Sequence, residues 1–208
     1  MHTLMDAQFR IYGKYLFDEM ISDDIIKEIN RQYQVVCPGT NFQINKAALT
    51  FAMASEVTKK ERLILLNLCG KRYATRFYSY QNNDLLQNVK LCPPVDYVSE
   101  MPKVFACSKI NVNPTLKIIQ TGIPLRVFDI MGAGGFLLSN YQEEILELYE
   151  DEKDLVLYDS MEDAISKIDF YLRHDELRQK ILLSGKRKTL KENSLQNRLE
   201  KILKIVFS

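Results

Sequence analysis

One run, Gly132-Ala133-Gly134-Gly135-Phe136-Leu137-Leu138, constrains the fold of this 208-residue chain more than any other. Glycines stop a helix, and the continuous apolar run behind them suits a strand covered on both faces, as strands of parallel sheets are. Ahead of the break, Leu125, Phe128 and Met131 recur at helical spacing, with Val127 and Ile130 widening the apolar face. Gly122 supplies the turn into that helix, because a chain passing from strand to helix often needs positive φ or close backbone approach. Pro124 stands where the first helical residue is expected, a position at which its missing N–H costs nothing. Thr121 to Asn140 therefore reads as loop, mostly buried helix, glycine break and buried strand.

Two charged side chains in this stretch have no place in a core. Arg126 and Asp129 are three apart and so neighbours on one helix face. One reading is a local ion pair of the weak surface kind. The other starts from the helix dipole, which disfavours a cation in the first turn unless an anion is near. A bound diphosphate is such an anion.

The rest of the chain supplies a rhythm around this stretch. Residues 1 to about 34 read as helical, with Phe9, Tyr12, Leu16 and Met20 at spacings of three and four and a restart at Ser22 that carries Ile25, Ile26 and Ile29. These helices need a partner, which is the domain that follows, a domain outside this chain or a second copy. After a turn signal at Pro38-Gly39 the pattern alternates. Strands are expected at Leu49–Ala54, Phe77–Tyr80, Asn88–Cys92, Lys109–Asn113, Phe136–Leu138 and Leu155–Tyr158, with helices at Lys59–Lys71, Glu100–Phe105, after Pro124 and at Glu143–Tyr149. Ser160 and Asp163 resemble a capping box for a further helix, and two more follow, from Glu176 and from Leu195 behind Ser194. About six alternations of strand and helix imply an α/β fold with a doubly wound, mainly parallel sheet. The division expected is a helical N-terminal segment, residues 1–45, and a Rossmann-like domain, residues 46–208, that ends in helices.

Composition narrows the function classes. Apolar residues at 46% and charged residues at 26% describe an ordinary globular chain. A formal net charge of +1 gives no overall field to attract nucleic acid or an anionic surface, so no nucleic-acid partner is expected. Lys186-Arg187-Lys188 reads as a solvated helix face. Cys37, Cys69, Cys92 and Cys107 are widely spaced and only two histidines exist, His2 and His174. Buried free thiols, rather than a zinc site or disulfides, are the expectation. The N-terminus lacks a signal peptide's apolar core and Leu63–Leu66 is too short to span a bilayer, so membrane insertion is not expected and the location expected is cytoplasmic.

The motifs Ser108-Lys109-Ile110-Asn111-Val112-Asn113, Gly122-Ile123-Pro124-Leu125-Arg126-Val127-Phe128-Asp129 and Gly132–Leu138 together resemble the spore-maturation (CgeB-type) glycosyltransferase family. The resemblance continues through Tyr141-Gln142, Asp154-Leu155-Val156 and Tyr171-Leu172 to Arg178, and more loosely back through Val57–Leu68 and Pro94–Phe105. It implies the C-terminal, nucleotide-sugar-binding half of a GT-B glycosyltransferase, whose two Rossmann-like domains face each other across a cleft. The substrate implied is a nucleotide sugar with a hexose-type group, with no cofactor and no metal, which agrees with the absence of an Asp-x-Asp motif.

Site residues follow from the same resemblance. Arg126 is the candidate catalytic residue, neutralising the leaving diphosphate, and Thr121, Gly122 and Ile123 form the loop beside it. Asp129 stands where related retaining enzymes hold the ribose hydroxyls, a task that suits a carboxylate because it accepts two hydrogen bonds at once. Thr121 occupies the place of a second acidic residue in those enzymes. Asn111 and Asn113 either contact the ligand or cap a strand end, and Val95 and Tyr97 fall where the base lies, Tyr97 being otherwise plain packing. A complete GT-B enzyme has an N-terminal acceptor domain, for which residues 1–48 are too few. The competing function is a non-catalytic binding or assembly module on this scaffold, with the N-terminal helices as the surface for a homodimer or partner domain. A receiver-type signalling domain would need acidic residues clustered at strand ends, which the sequence lacks.

Overall fold

The computed structural model describes residues 1–80 and 83–207. Four helices come first, α1 (His2–Arg10), α2 (Leu16–Met20), α3 (Asp23–Val36) and α4 (Lys46–Arg72), then two short strands, β1 (Arg76–Tyr78) and β2 (Lys90–Cys92). Helix α5 (Met101–Cys107) leads into regular alternation through β3 (Asn111–Asn113), α6 (Leu125–Gly132), β4 (Leu137–Asn140), α7 (Glu143–Leu148) and β5 (Val156–Tyr158). Helices α8 (Met161–Arg173), α9 (Asp175–Glu192) and α10 (Leu195–Val206) follow.

Among the described residues every strand pairing is parallel. β1 pairs with β2, and a separate sheet runs in the order β3-β4-β5, with Val112 opposite Leu138 and Ser139 opposite Leu157. The expected parallel α/β architecture is present, in two pieces rather than one sheet. The continuous apolar run at the glycine break has the expected cause, since β4 is buried along its whole length. Phe136, Leu138, Val156 and Tyr158 point one way, into a core with Leu65 and Cys69 of α4 and Ala164, Ile165 and Ile168 of α8. Leu137, Leu155 and Leu157 point the other way, against Phe105 of α5, Ile130 and Met131 of α6 and Ile145 of α7.

One expected strand is helix. Leu49–Ala54 lies inside α4, which Asn45 opens by accepting a hydrogen bond from the Ala48 N–H at 2.8 Å. Its buried positions, Leu49, Thr50, Met53, Ala54, Val57, Thr58, Glu61, Leu65 and Cys69, follow the helical period and leave Phe51 exposed. The six-residue apolar run is too short to distinguish the two periods, and the polar members of the buried stripe hide the helical one.

The N-terminal helices have a partner within the chain, as Phe17 and Ile21 are buried with Leu49, Met53, Ala54 and Val57 of α4. Helix α3 adds Ile26 and Ile29 to the edge of this cluster and has no buried residue of its own. The thiol expectation needs correction. All four cysteines are free, but only Cys69 is buried, its pKa pushed up to about 11 by burial, while Cys107 is exposed. Exposed positions on short helices accept a cysteine without any apolar neighbour in sequence revealing it.

The turn from α6 to β4 is a Schellman motif. The Gly135 N–H donates to the Ile130 carbonyl and the Gly134 N–H to the Met131 carbonyl, with Gly134 at φ +80°. Gly135 is required for a different reason, as a Cβ there would lie 2.6 Å from Asn111 Nδ2 and 2.9 Å from the Phe105 carbonyl. At the other end, Pro124 is the residue before the helix, not its first, with ψ 139°. Ser160 and Ser194 cap α8 and α10 as expected, while the Asp163 carboxylate reaches past the cap to the Asp159 N–H at 3.3 Å.

Gly135→Ala is expected to destabilise the chain by about 1–3 kcal/mol through overpacking. Gly132→Ala, whose Cβ would meet only Thr189 Cγ2 at 3.8 Å, is expected to be neutral or stabilising. Urea denaturation midpoints of the two variants check this contrast.

Candidate functional site

Ligands of open α/β sheets bind beyond the carboxyl ends of the strands. In this chain that edge is built around the loop between β3 and α6. Ser139 and Asn140 at the end of β4 secure its start. The Ser139 hydroxyl donates to the Asn113 carbonyl at 3.0 Å, and Asn140 Oδ1 accepts from the Thr115 N–H at 2.7 Å. Thr58, Glu61 and Arg62 lie on one face of α4 and hold the rest of the loop. Thr58 Oγ1 accepts from the Lys117 N–H at 3.0 Å, and Arg62 donates from Nη2 to the Pro114 carbonyl at 3.0 Å. Burial lowers the Arg62 pKa, and the like charge of Arg126 lowers it further against the raising effect of Glu61 and Tyr158.

Glu61 is fully buried. Its Oε1 accepts hydrogen bonds from the Tyr12 hydroxyl at 3.0 Å and the Tyr158 hydroxyl at 3.1 Å. Lys117 Nζ stands 3.2 Å from Oε2 and 3.4 Å from the centre of the Tyr12 ring. That ion pair is not an aligned hydrogen bond, and neither atom has another hydrogen-bond partner. Burial pulls the Lys117 pKa down while Glu61 opposes the shift. Burial and then the charge of Glu61 push both tyrosine hydroxyls upward. This cluster brings residues 8–15 over the sheet edge, where Tyr12, Lys14, Lys117, Gln120, Asn140 and Glu144 are among the residues lining a cleft of about 180 Å³. Arg126, Asp129 and Tyr97 are not part of its wall.

The residues expected at the site fall into separate places. Tyr97 and Asp129 meet, the tyrosine hydroxyl lying 3.0 and 2.9 Å from the two carboxylate oxygens. Its pKa rises first through that hydrogen bond. Arg126 is exposed and lies along α5, donating to Met101 Sδ at 2.8 Å with its guanidinium 5.5 Å from the Phe105 ring centre. It forms no ion pair with Asp129, nor with any carboxylate among the described residues. Gly122 sits at φ +87° and its N–H donates to the Glu144 carboxylate of α7. Thr121 is exposed, and Ile123 packs at the margin of the α6 core. Val95 is half-buried in the segment leading to α5.

The two asparagines differ. Asn111 is buried beneath Gly135, its amide donating to the carbonyls of Phe105 at 3.0 Å and Phe136 at 3.3 Å. Asn113 is half-buried at the strand end and bonds Thr115 and Ser139, both at 3.2 Å. Glu61, Lys117 and Arg62 escaped the sequence reading, and Tyr12, expected on an N-terminal helix, lies instead between α1 and α2. The one available signal was a carboxylate four residues from Val57 and from Leu65, on the apolar stripe of a helix that must be started at Lys46 to be seen. Among the described residues no three His, Cys, Asp or Glu side chains gather as a metal site.

Lys117→Met leaves the Glu61 charge buried with tyrosines alone and is expected to cost about 3–5 kcal/mol, most of it recovered by adding Glu61→Leu. Chemical denaturation of the single and double variants measures the difference. The raised tyrosine pKa values also set a pH limit. Above the ordinary value of 10.0 the unfolded chain releases phenol protons that the folded chain holds, so stability is fully present below that pH and falls as pH rises through it. Tyr12→Phe is expected to make the fall shallower in denaturation curves taken from pH 8 to 11.

Comparison with known proteins identifies the relatives of this arrangement. Residues 48–204, more than half of the chain, match the family model described as glycosyl transferase-like. A glycosyltransferase from Rickettsia africae is 11% identical, aligns over 94% of this chain and 54% of its own, and has a TM-score of 0.56. The C-terminal domain of a glycosyl transferase group 1 family protein (LpcC) from Francisella tularensis is 18% identical over 54% of this chain and 57% of its own, with a TM-score of 0.45. The chain thus spans little more than half the length of either structure, and the Rickettsia likeness shows a shared Rossmann-like α/β fold. No curated protein matches the sequence. By the extent of the family match, the chain belongs to the glycosyl transferase-like family.

Proposed function

We propose that this chain is the donor half of a metal-independent GT-B glycosyltransferase of the CgeB type. It binds a nucleotide sugar at the carboxyl edge of the β3-β4-β5 sheet and transfers a hexose-type sugar to an acceptor presented by a further domain. Residues 46–208 are the nucleotide-sugar-binding domain in this reading, and residues 1–45 a helical appendage. The observation that carries the proposal is Arg126, an exposed guanidinium with no carboxylate partner among the described residues, in the first turn of the helix that follows the edge loop. One turn on stands Asp129, whose carboxylate is steadied by Tyr97.

The chemistry asked of these groups is modest. As the sugar bond breaks, negative charge builds on the diphosphate, and a cation already in place stabilises it without reorganisation. The free N–H groups at the start of α6 add the partial charge of a helix N-terminus. Asp129 keeps lone pairs beyond those facing Tyr97 and takes the ribose hydroxyls. Tyr97 and Val95 flank the base, Thr121 to Ile123 line the approach of the diphosphate, and Asn113 faces the ligand from the strand end. Asn111 takes the supporting role of holding Gly135 and the start of β4. The 180 Å³ cleft is below the ~300–1,000 Å³ of most small-molecule sites, so the donor fills it in part and extends over the surface that carries Arg126.

A second reading, a binding or assembly module on the same scaffold, is favoured by one contact. Glu144 already occupies the Gly122 N–H, so an anion from within the chain stands at the loop.

Calorimetric titration with uridine, guanosine and thymidine diphosphate sugars is expected to give saturable binding to one of them, equal in EDTA and in magnesium. Arg126→Ala is expected to weaken it by about ten-fold or more, the worth of a charge-assisted hydrogen bond. Absence of binding to every donor, in wild type and in Glu144→Gln alike, contradicts the donor reading and leaves the assembly module.

A further inference from the structure

Helix α10 presents an apolar face that nothing else in the described chain covers. Leu195, Leu199, Ile202, Leu203 and Val206 recur at positions i, i+4, i+7, i+8 and i+11, which is one stripe of a helix. All are exposed, from 50% at Leu199 to 76% at Leu195. The helix is attached by other positions at its start. Asn197 donates to the Lys191 carbonyl, and the Arg198 guanidinium lies 4.0 Å from the ring centre of Phe128 on α6. From Leu199 to Phe207 every residue is exposed. Single exposed apolar side chains are ordinary, whereas a contiguous stripe marks an interaction surface.

Charge selects what that surface meets. Between Gly185 and Phe207 the sequence has seven lysines and arginines against two glutamates, while the whole chain sums to only +1. The remainder is therefore net acidic, and the molecule is polarised toward its last two helices. Lys188 is neutralised by Asp154 at 3.1 Å. Lys191, Lys201 and Lys204 are exposed, have no carboxylate within ion-pair distance among the described residues, and share one surface groove with Glu192 and Glu200. No described helix is long and apolar enough to cross a membrane. An apolar stripe, a lysine-rich opposite face and low overall hydrophobicity are the properties of a helix that lies in the headgroup region of a bilayer.

We infer that α10 docks this chain on the surface of an anionic lipid bilayer, the Leu195–Val206 stripe among the acyl boundary and the lysines drawn by the surface potential. A second copy would carry the same excess of cations at this end and leave it uncompensated, whereas anionic headgroups neutralise it. Docking through α10 also sets the Arg126–Asp129 surface near the membrane, since Arg198 rests on Phe128 of the same helix.

Flotation of the full chain with vesicles tests this. Vesicles of equal parts phosphatidylcholine and phosphatidylglycerol are expected to bind it about ten-fold or more tightly than phosphatidylcholine alone, with release in high salt. Ile202→Glu is expected to abolish binding, and Lys201→Glu with Lys204→Glu to weaken it about ten-fold or more, with circular dichroism unchanged because the positions are exposed. Equal or absent binding to the two vesicle types overturns the inference, as does wild-type binding by Ile202→Glu. A wild-type dimer in sedimentation that Ile202→Glu dissociates, without vesicle binding, assigns the stripe to a second copy instead.

Discussion

Two tyrosine hydroxyls, one from the N-terminal segment and one from the end of β5, donate to a single oxygen of Glu61, and Lys117 faces the other. The remaining organisation of the sheet edge depends on this buried carboxylate. Burying a charge is unfavourable unless partners compensate it, so the arrangement tolerates little displacement of Tyr12, Tyr158 or Lys117. Those residues belong to segments far apart in sequence, and α4 carries the carboxylate between them. Tyr12 lies outside the residues matched by the family model, yet it completes the coordination of a carboxylate inside them. The N-terminal segment is thereby tied into the family domain at a point where its loss would leave the buried Glu61 with one tyrosine donor in place of two.

The same helix face sets the geometry of the candidate site. Thr58, Glu61 and Arg62 hold the loop that leaves β3, and that loop leads directly to Gly122 and the first turn of α6. Arg126 is then presented on the surface beside α5, one turn from the Tyr97–Asp129 pair. The chain of causes runs from a polar stripe on α4, through a fixed loop, to an exposed cation that no carboxylate among the described residues neutralises. The proposal of nucleotide-sugar binding rests on that last property, while family membership rests on the match to residues 48–204.

Much of this was legible in the sequence where a single physical requirement dominates. Phe136-Leu137-Leu138 announces a strand buried on both faces, because no solvated strand would leave three adjacent positions apolar, and β4 between its two cores meets that description. Ser160 and Ser194 announce helix starts through local hydrogen bonds, which need no tertiary partner. Leu49–Ala54 reads as a strand because a buried helix with Thr58 and Glu61 on its inner face lacks a clean apolar period. Arg126 and Asp129 stood out as charges on an apolar helix, but their neighbours did not. The contact from Tyr97 to Asp129 spans 32 residues, and that from Glu61 to Tyr158 spans 97. Nor does the spacing of Arg126 and Asp129 reveal that the cation turns to Met101 and Phe105 instead of to the acid.

The central claim is that a nucleoside diphosphate seats at the start of α6. Hydrogen–deuterium exchange of the full chain, with and without each nucleoside diphosphate, tests it at the backbone groups themselves. The account predicts slowed exchange in the loop from Pro114 to Ile123, in the first amides of α6 and in the segment around Val95 and Tyr97, lost in Arg126→Ala. Unchanged exchange at Leu125 and Arg126 under saturating diphosphate would contradict it.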